Sequence, residues 1–327
     1  MKKFYIEIIP YDRNIATVAL ESGADAVVVK KGDSKKVKEI GLIQTISEGE
    51  DFERYRIKNK NDICEIAKIS KNKTVIVSTT DWTIIPLENL VAQASNIIME
   101  VKNSEEAKTA LQILEKGVDG VLLKTYDLNE IKKTAKIIKE KPEKIKIVKA
   151  KIESIRPIGM GDRVCIDTVA NMAIGEGMLI GNYSPGMFLV HSESEENPYV
   201  AARPFRVNAG AVHAYVLTSG GKTKYLSELK SGDEVLVVDT KGRSKISYVG
   251  RVKIEKRHLL LVSAEYKDEE ISLVMQNAET IKLLKYHDGK AIPTSVIKLK
   301  PGNGILAYVQ SAGRHFGMKI EETIVEK

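Results

Sequence analysis

Two lysines occupy matching positions in this chain. ATVALESGADAVVVK (residues 16–30) aligns without a gap on ALQILEKGVDGVLLK (residues 110–124), so Lys30 and Lys124 each close an apolar run of strand type. In a layered β/α fold, side chains at the carboxyl ends of strands face the ligand. A lysine attacks a carbonyl, or takes a proton, only in its neutral form, which burial or a neighbouring cation favours. Lys31 is such a neighbour for Lys30. Schiff-base or proton-abstraction chemistry is the expectation, with either lysine as its centre.

The densest polar constellation lies between residues 167 and 213. Asp167 precedes a glycine run, Gly175, Gly177, Gly181 and Gly186, followed by His191, Glu193 and Glu195 and then by Arg203, Arg206, Asn208 and His213. Close-set glycines let a backbone approach a phosphate, although the spacing is wrong for the dinucleotide fingerprint and Pro185 stops any following helix. Irregular ligand-binding backbone is the expectation for this run, with Asp167, Gly175, Gly177 and Gly181 receiving a nucleotide. Arg203 and Arg206 are bidentate donors suited to a carboxylate, with Asn208 beside them. His191 and His213, two of five histidines, and Glu193 are candidate proton carriers. Imidazoles in such positions also serve simply to satisfy buried backbone groups. Asp81, Trp82 and Glu88 in DWTIIPLENL, and Arg314 and His315 in GRHFGMKI, are further polar groups that folding could bring to a site.

The elements that must position these groups change character along the chain. Up to about residue 142, β-branched runs alternate with amphipathic helical runs. Strands are expected at residues 4–9, 26–30, 42–46, 74–78, 96–101 and 120–124. Ala107, Ala110, Leu111 and Leu114 share one helical face, as do Ile131, Ala135 and Ile138. Asn103 with Glu106, and Asp127 with Glu130, have capping-box spacing. Gly23 and Gly117 suit the left-handed residue that ends a helix. The first half is therefore an α/β unit, a partial β/α barrel or an open parallel sheet. Six strands are too few for an eight-fold barrel. From about residue 144 helical periodicity fades and a second repeat appears: GMGDRVCI (159–166), KSGDEVLV (230–237) and KPGNGILA (300–307), each read as a turn leading into a strand. This half is mainly β, a small barrel or sandwich. The boundary falls in residues 142–155, near Pro142 or the Arg156–Pro157 step, giving domains 1–150 and 151–327.

Composition narrows the function classes. A chain of 327 residues, 43% hydrophobic and 29% charged, is globular. No apolar run approaches the roughly 18 residues needed to cross a bilayer, and the start of the chain reads as a first strand. Cys64 and Cys165 have no metal-ligand spacing and read as reduced, Cys165 as core, which points to the cytoplasm. No metal site, P-loop or nucleophile elbow is evident. The net charge of +7 comes from 51 basic and 44 acidic residues spread along the chain, an ion-paired surface rather than a nucleic-acid stripe. A small-molecule substrate is expected, without nucleic acid or membrane, and short β edges make a homodimer plausible.

Several strings are specific enough to carry a family resemblance. VDGVLLKTYDLNEIKK, DWTIIPLENL, GEGMLIGNYSPGMFLVHSESEENPYVAARPFRVNAGAVHAY, KTKYLSEL, QNAETIKL and GRHFG together resemble the archaeal-type 3-dehydroquinate synthase, dehydroquinate synthase II, over nearly the whole chain. The resemblance implies an NAD-dependent oxidative deamination of 2-amino-3,7-dideoxy-D-threo-hept-6-ulosonate, followed by cyclisation to 3-dehydroquinate for aromatic amino acid biosynthesis through the shikimate route. Under it, Lys30 or Lys124 would form the Schiff base or act as base, His191 or His213 would move protons, and Arg203 or Arg206 would hold the carboxylate. The chain departs from the family pattern at Val169, where cysteine is usual, and at His258, where proline is usual and a local turn difference is expected. The competing readings are a Schiff-base aldolase without a redox cofactor and a basic RNA-binding β-barrel.

Overall fold

The computed structural model describes residues 2–80, 83–114, 116–139 and 144–310, and the backbone of 314–315 and 318–319. The chain divides into two compact units, residues 1–141 and 142–327.

The first unit alternates strand and helix: β1 (Lys3–Glu7), α1 (Arg13–Glu21), β2 (Ala26–Val28), α2 (Ser34–Lys38), β3 (Gln44–Ile46), β4 (Phe52–Ile57), α3 (Lys60–Ile69), β5 (Thr74–Thr79), α4 (Ile84–Val91), β6 (Ile97–Val101), α5 (Ser104–Gln112), β7 (Gly120–Leu123) and α6 (Leu128–Lys139). All seven strands are parallel, in the order β3-β2-β1-β7-β6-β5-β4. First and last strands pair, as in a β/α barrel, and the order is open between β3 and β4. A partial barrel of the expected class results. Residues alternate along each strand between two cores. Phe4, Ile6, Val27, Val75, Val77, Val121 and Leu123 pack against Ile15, Ala19, Ile66, Leu90, Ala107 and Ile131 of the helices. Tyr5, Ala26, Val28, Ile46, Phe52, Ile76, Ile98 and Leu122 form a separate cluster that draws at least one residue from every strand. Phe52, on the terminal strand β4, can share that cluster with Tyr5 and Ile46 only because the sheet curls.

Local signals mostly hold. Gly23 (φ 65°) and Gly117 (φ 60°) are left-handed as expected. The Asn103 side chain accepts from the Glu106 amide, starting α5. The reciprocal bonds differ from the expected boxes: Glu106 accepts from the Lys102 amide, and Glu130 reaches the Ser104 amide, tying the start of α6 to that of α5. Leu114 leaves the apolar face: α5 ends at Gln112 and Leu114, at φ 54°, is exposed.

The second unit is antiparallel: β8 (Ile147–Thr168), β9 (Glu176–Tyr183), β10 (Gly186–Glu193), β11 (Arg203–Ala211), β12 (Tyr215–Leu217), β13 (Thr223–Tyr225), β14 (Glu234–Asp239), β15 (Ser244–Tyr266), β16 (Glu269–Gln276), β17 (Lys282–His287), β18 (Lys290–Ser295) and β19 (Gly304–Val309), then the short pair β20 (Arg314–His315) and β21 (Met318–Lys319). The pairings β9–β14, β14–β15, β15–β8, β8–β11, β11–β10 and β10–β9 return on themselves, closing a six-stranded ring. Val164, Ile166, Met178, Ile180, Phe188, Val190, Val207, Val235 and Val237 share its principal core. Closure of this kind removes free edges.

Two copies of the second repeat are turns, with Gly232 and Gly302 near φ 90° ahead of β14 and β19. GMGDRVCI is not. It lies inside β8, where Gly159 pairs with Leu259, Pro157 with Leu260, and residue 158 is extra. Its bulge glycine, Gly159 at φ 97°, stands two residues before Gly161, the residue aligned with Gly232 and Gly302, so the likeness to a turn is one of sequence alone. The Arg156–Pro157 step likewise runs through β8 without a break, and His258 sits mid-strand opposite Met160 rather than in a turn.

Candidate functional site

In the curled sheet, the inward position two residues beyond the apolar cluster is polar on every strand. It is filled by Glu7, Lys30, Glu48, Arg54, Ser78, Glu100 and Lys124. These positions crown the carboxyl ends of the strands, the ligand-binding face of β/α folds. Arg54 is the hub. Its Nη2 lies 2.5 Å from Glu7 Oε2, its Nη1 2.6 Å from Glu100 Oε2, and its Nε 3.4 Å from Glu48 Oε2. Burial alone would lower the Arg54 pKa, but the three carboxylates outweigh it and raise it. The other oxygen of Glu7, Oε1, pairs with Lys124 Nζ at 3.1 Å. The Glu7 side chain is only 6% exposed, whereas that of Lys124 is 51% exposed. Lys124 thus stands at the mouth on a buried, anchored carboxylate.

Beside this ring a cavity of about 650 Å³ opens where β5 and β6 diverge between α4 and α5. Leu87, Met99 and Ile113 give it apolar walls; Ser78, Thr79, Thr80 and Thr83 supply hydroxyls, and Arg56 and Lys102 supply cations. Glu100 lines the cavity and also accepts from Arg54, so the two features share an edge. Apolar walls suit a planar base and the hydroxyl and cationic groups suit phosphate, while Glu100, Glu105 and Glu106, which line the same cavity, offer acceptors for sugar hydroxyls rather than a site for a bare anion. Among the described residues no group of three or more His, Cys, Asp or Glu side chains is arranged to hold a metal ion.

The remaining expected residues fall on the second unit. Arg206, Asp167 and Arg251 sit side by side on β11, β8 and β15. Asp167 accepts two bonds from Arg206, at 2.6 and 2.8 Å, and further bonds from Arg251. Burial would raise the Asp167 pKa, yet the two guanidiniums hold it below the usual carboxylate range. The hydrogen bonds that Arg206 donates to Asp167 raise its own pKa. Asp167 and Arg206 therefore engage each other. Asn208 donates to Gln276, and Glu193 faces Arg203 at 3.4 Å.

The glycine run is regular strand in part, rather than irregular backbone. Gly177 and Gly181 lie in β9, where a Cβ would overlap the carbonyl oxygens of Val190 and Gly186. Their missing side chains allow β9 to press on β10. Gly175, at φ 91°, donates its amide to His191 Nε2 at 2.8 Å. His191 is buried, which lowers its pKa to about 4. His213 is exposed in the turn after β11.

Lys30 is exposed, and no described side chain forms an ion pair with it. Lys31 pairs with Glu50. Cys165 is buried as expected, and Cys64 is exposed. Asp81 and Trp82, and the side chains of Arg314 and His315, lie outside the described residues; Glu88 is half-buried on α4. Sequence reasoning missed Glu7, Arg54 and Glu100. The available signal was parity: each stands two residues after an inward apolar residue, like the lysines.

Comparison with known proteins decides the family. The model described as 3-dehydroquinate synthase II N-terminal domain matches residues 1–138, and that described as 3-dehydroquinate synthase II C-terminal domain matches residues 149–327. The chain belongs to the 3-dehydroquinate synthase II family. Similar proteins include a 3-dehydroquinate synthase homolog of Aquifex aeolicus, 55% identical over 334 residues with all of both chains covered. The 3-dehydroquinate synthase of Methanoregula boonei is 51% identical, again over the whole of both chains. That of Methanocaldococcus jannaschii is 48% identical over 349 residues, covering 96% of each. This member of an enzyme family thus carries the family's N-terminal domain on the curled sheet and its C-terminal domain on the antiparallel unit. Among its described residues no helix is long and apolar enough to cross a membrane.

Proposed function

We propose that the chain converts 2-amino-3,7-dideoxy-D-threo-hept-6-ulosonate to 3-dehydroquinate, with NAD⁺ as hydride acceptor and release of ammonia, on the route to aromatic amino acids. The observation that carries the reading is the Lys124–Glu7–Arg54 chain of contacts at the strand ends of a family member. The reaction needs a group that makes a methyl ketone acidic, so that its methyl carbon can attack a second carbonyl. A lysine meets that need, because a carbon beside an iminium loses a proton far more readily than one beside a ketone.

NAD⁺, when bound, accepts the hydride from the amine-bearing carbon. The donor set around the α4–α5 cavity supports placing the nucleotide there, with Arg56, Lys102 and the threonine hydroxyls toward phosphate and Leu87 and Met99 against a ring. Glu100, at the edge shared by cavity and ring, is placed to accept a proton from a substrate amine. The test is direct. Purified protein, substrate and NAD⁺ should give 3-dehydroquinate, ammonia and the absorbance of reduced nicotinamide. Carbon–carbon cleavage without nicotinamide reduction would instead support the aldolase alternative.

A further inference from the structure

We infer that Lys124 is the residue that condenses with the substrate ketone, that Glu7 is its proton carrier, and that Arg54 positions Glu7 for this task. The inference rests on the ketone-activating part of the reading above. A nucleophile within hydrogen-bond reach of a base, with the base oriented by a third group, is the general architecture of covalent catalysis. Among the described residues, Lys124, Glu7 and Arg54 have it: 3.1 Å from nitrogen to carboxylate, then 2.5 Å from carboxylate to guanidinium. The two contacts use different oxygens of Glu7, so Arg54 fixes the carboxylate without competing for the oxygen that faces Lys124. Glu48 and Glu100 fix Arg54 in turn. Lys30 has the equivalent place in the repeat but no anchoring carboxylate among the described residues, and its neighbour Lys31 is taken up by Glu50.

The proton inventory closes. The Lys124 ammonium passes one proton to Glu7, and its nitrogen forms a bond to the ketone carbon as the carbonyl π bond opens. The oxygen takes the proton back from Glu7, acquires a second from the nitrogen and leaves as water, giving a protonated iminium. Glu7, again a carboxylate, accepts a proton from the adjacent methyl carbon, leaving an enamine. That carbon attacks the second carbonyl, whose oxygen takes the proton from Glu7, and water then hydrolyses the re-formed iminium to free the lysine. No oxidant or reductant enters any of these steps.

The experiment is reductive trapping. The full chain is incubated with substrate in the absence of NAD⁺, treated with sodium borohydride and mapped by peptide mass spectrometry. A secondary amine at Lys124 is expected. For Glu7→Gln the trapping rate should fall roughly 100-fold, the usual contribution of a positioned base. Glu7→Asp, which keeps the charge but withdraws the oxygen by one methylene, should trap more slowly than the unaltered chain and faster than Glu7→Gln, with melting temperature little changed. Adduct at Lys30, no adduct at all, or equal trapping rates in Glu7→Asp and the unaltered chain would overturn the inference. Nicotinamide reduction, followed separately, distinguishes the two claims. Reduction without an adduct leaves the proposed function and removes this assignment, whereas a Lys124 adduct without reduction does the reverse.

Discussion

Glu7, at the end of β1, and Lys124, directly after β7, stand side by side where the first and last strands in chain order pair, as a 3.1 Å ion pair between a buried carboxylate and a half-exposed ammonium. The pairing of these two strands converts a linear βα succession into a curled one, so the ion pair lies where the sheet joins its own beginning. Lys124→Arg should separate the structural from the chemical role of this contact. Arginine retains a cation for Glu7 but cannot form a Schiff base. Lys124→Arg is expected to melt near the unaltered protein, Lys124→Met to melt lower, and both to lose turnover by at least ~100-fold. Thermal melts beside single-turnover assays measure both effects.

Arg54 should matter more for stability than any other residue of the ring. It binds three carboxylates, and Glu7 has almost no access to water. Arg54→Met leaves Glu7 with the single partner Lys124, and breaking a buried pair of this kind costs about 3 kcal/mol. For a unit of this size the melting temperature should drop by about 10 °C. Denaturant titration of Arg54→Met against Arg54→Lys would show whether a single-point cation restores part of the loss. Equal stability of Arg54→Met and the unaltered chain would contradict the buried-hub picture.

The same strand explains what was legible in the sequence and what was not. Strands β1, β2, β5, β6 and β7 are visible as apolar runs because both faces are buried, one against helices and one inside the curl, whereas β3 reads QTI and buries only Ile46. β4 reads FERYRI and escapes, since its inward positions after Phe52 are arginines. The residues that hide the strand from hydropathy are those that build the polar ring. A local pattern breaks where a site is being made. The lysines were visible through the internal repeat, but Glu7 was not, because a carboxylate at the end of a first strand looks like solvent-facing polarity until a neighbouring strand supplies its partner. In the second unit, residue types were legible and their pairings were not. Asp167 and Arg206 are 39 residues apart and meet only through strand register.

That pairing changes the expected effect of replacing Arg206. As a substrate-carboxylate clamp, its loss would raise KM alone. Paired in two bonds to a buried Asp167, Arg206 instead predicts a stability loss of about 3 kcal/mol for Arg206→Ala, because Asp167 keeps only Arg251, whose side chain is 64% exposed. Asp167→Asn should be of comparable harm to Arg206→Ala, since it leaves the buried Arg206 guanidinium beside Arg251 without a counter-charge. Urea unfolding of the two variants and of their double mutant gives the coupling energy directly.

His191 gives the second unit a defined pH response. Its Nε2 accepts from the Gly175 amide, so the folded imidazole is neutral, and burial lowers its pKa from 6.5 to about 4. Above pH 6.5 neither folded nor unfolded chain protonates this group, and it contributes no pH dependence. Between about 6.5 and 4 the unfolded chain takes up a proton that the folded chain refuses, so stability falls as pH drops through this window and levels off below it. The total is about 3 kcal/mol for this shift. His191→Gln offers an oxygen acceptor to Gly175 and does not titrate. Its unfolding free energy should therefore lose that slope between pH 6.5 and 4 while matching the unaltered chain within about 1 kcal/mol at pH 8. Denaturant melts at intervals across the window measure this, and identical slopes in the two proteins would mean that the proton is taken up elsewhere.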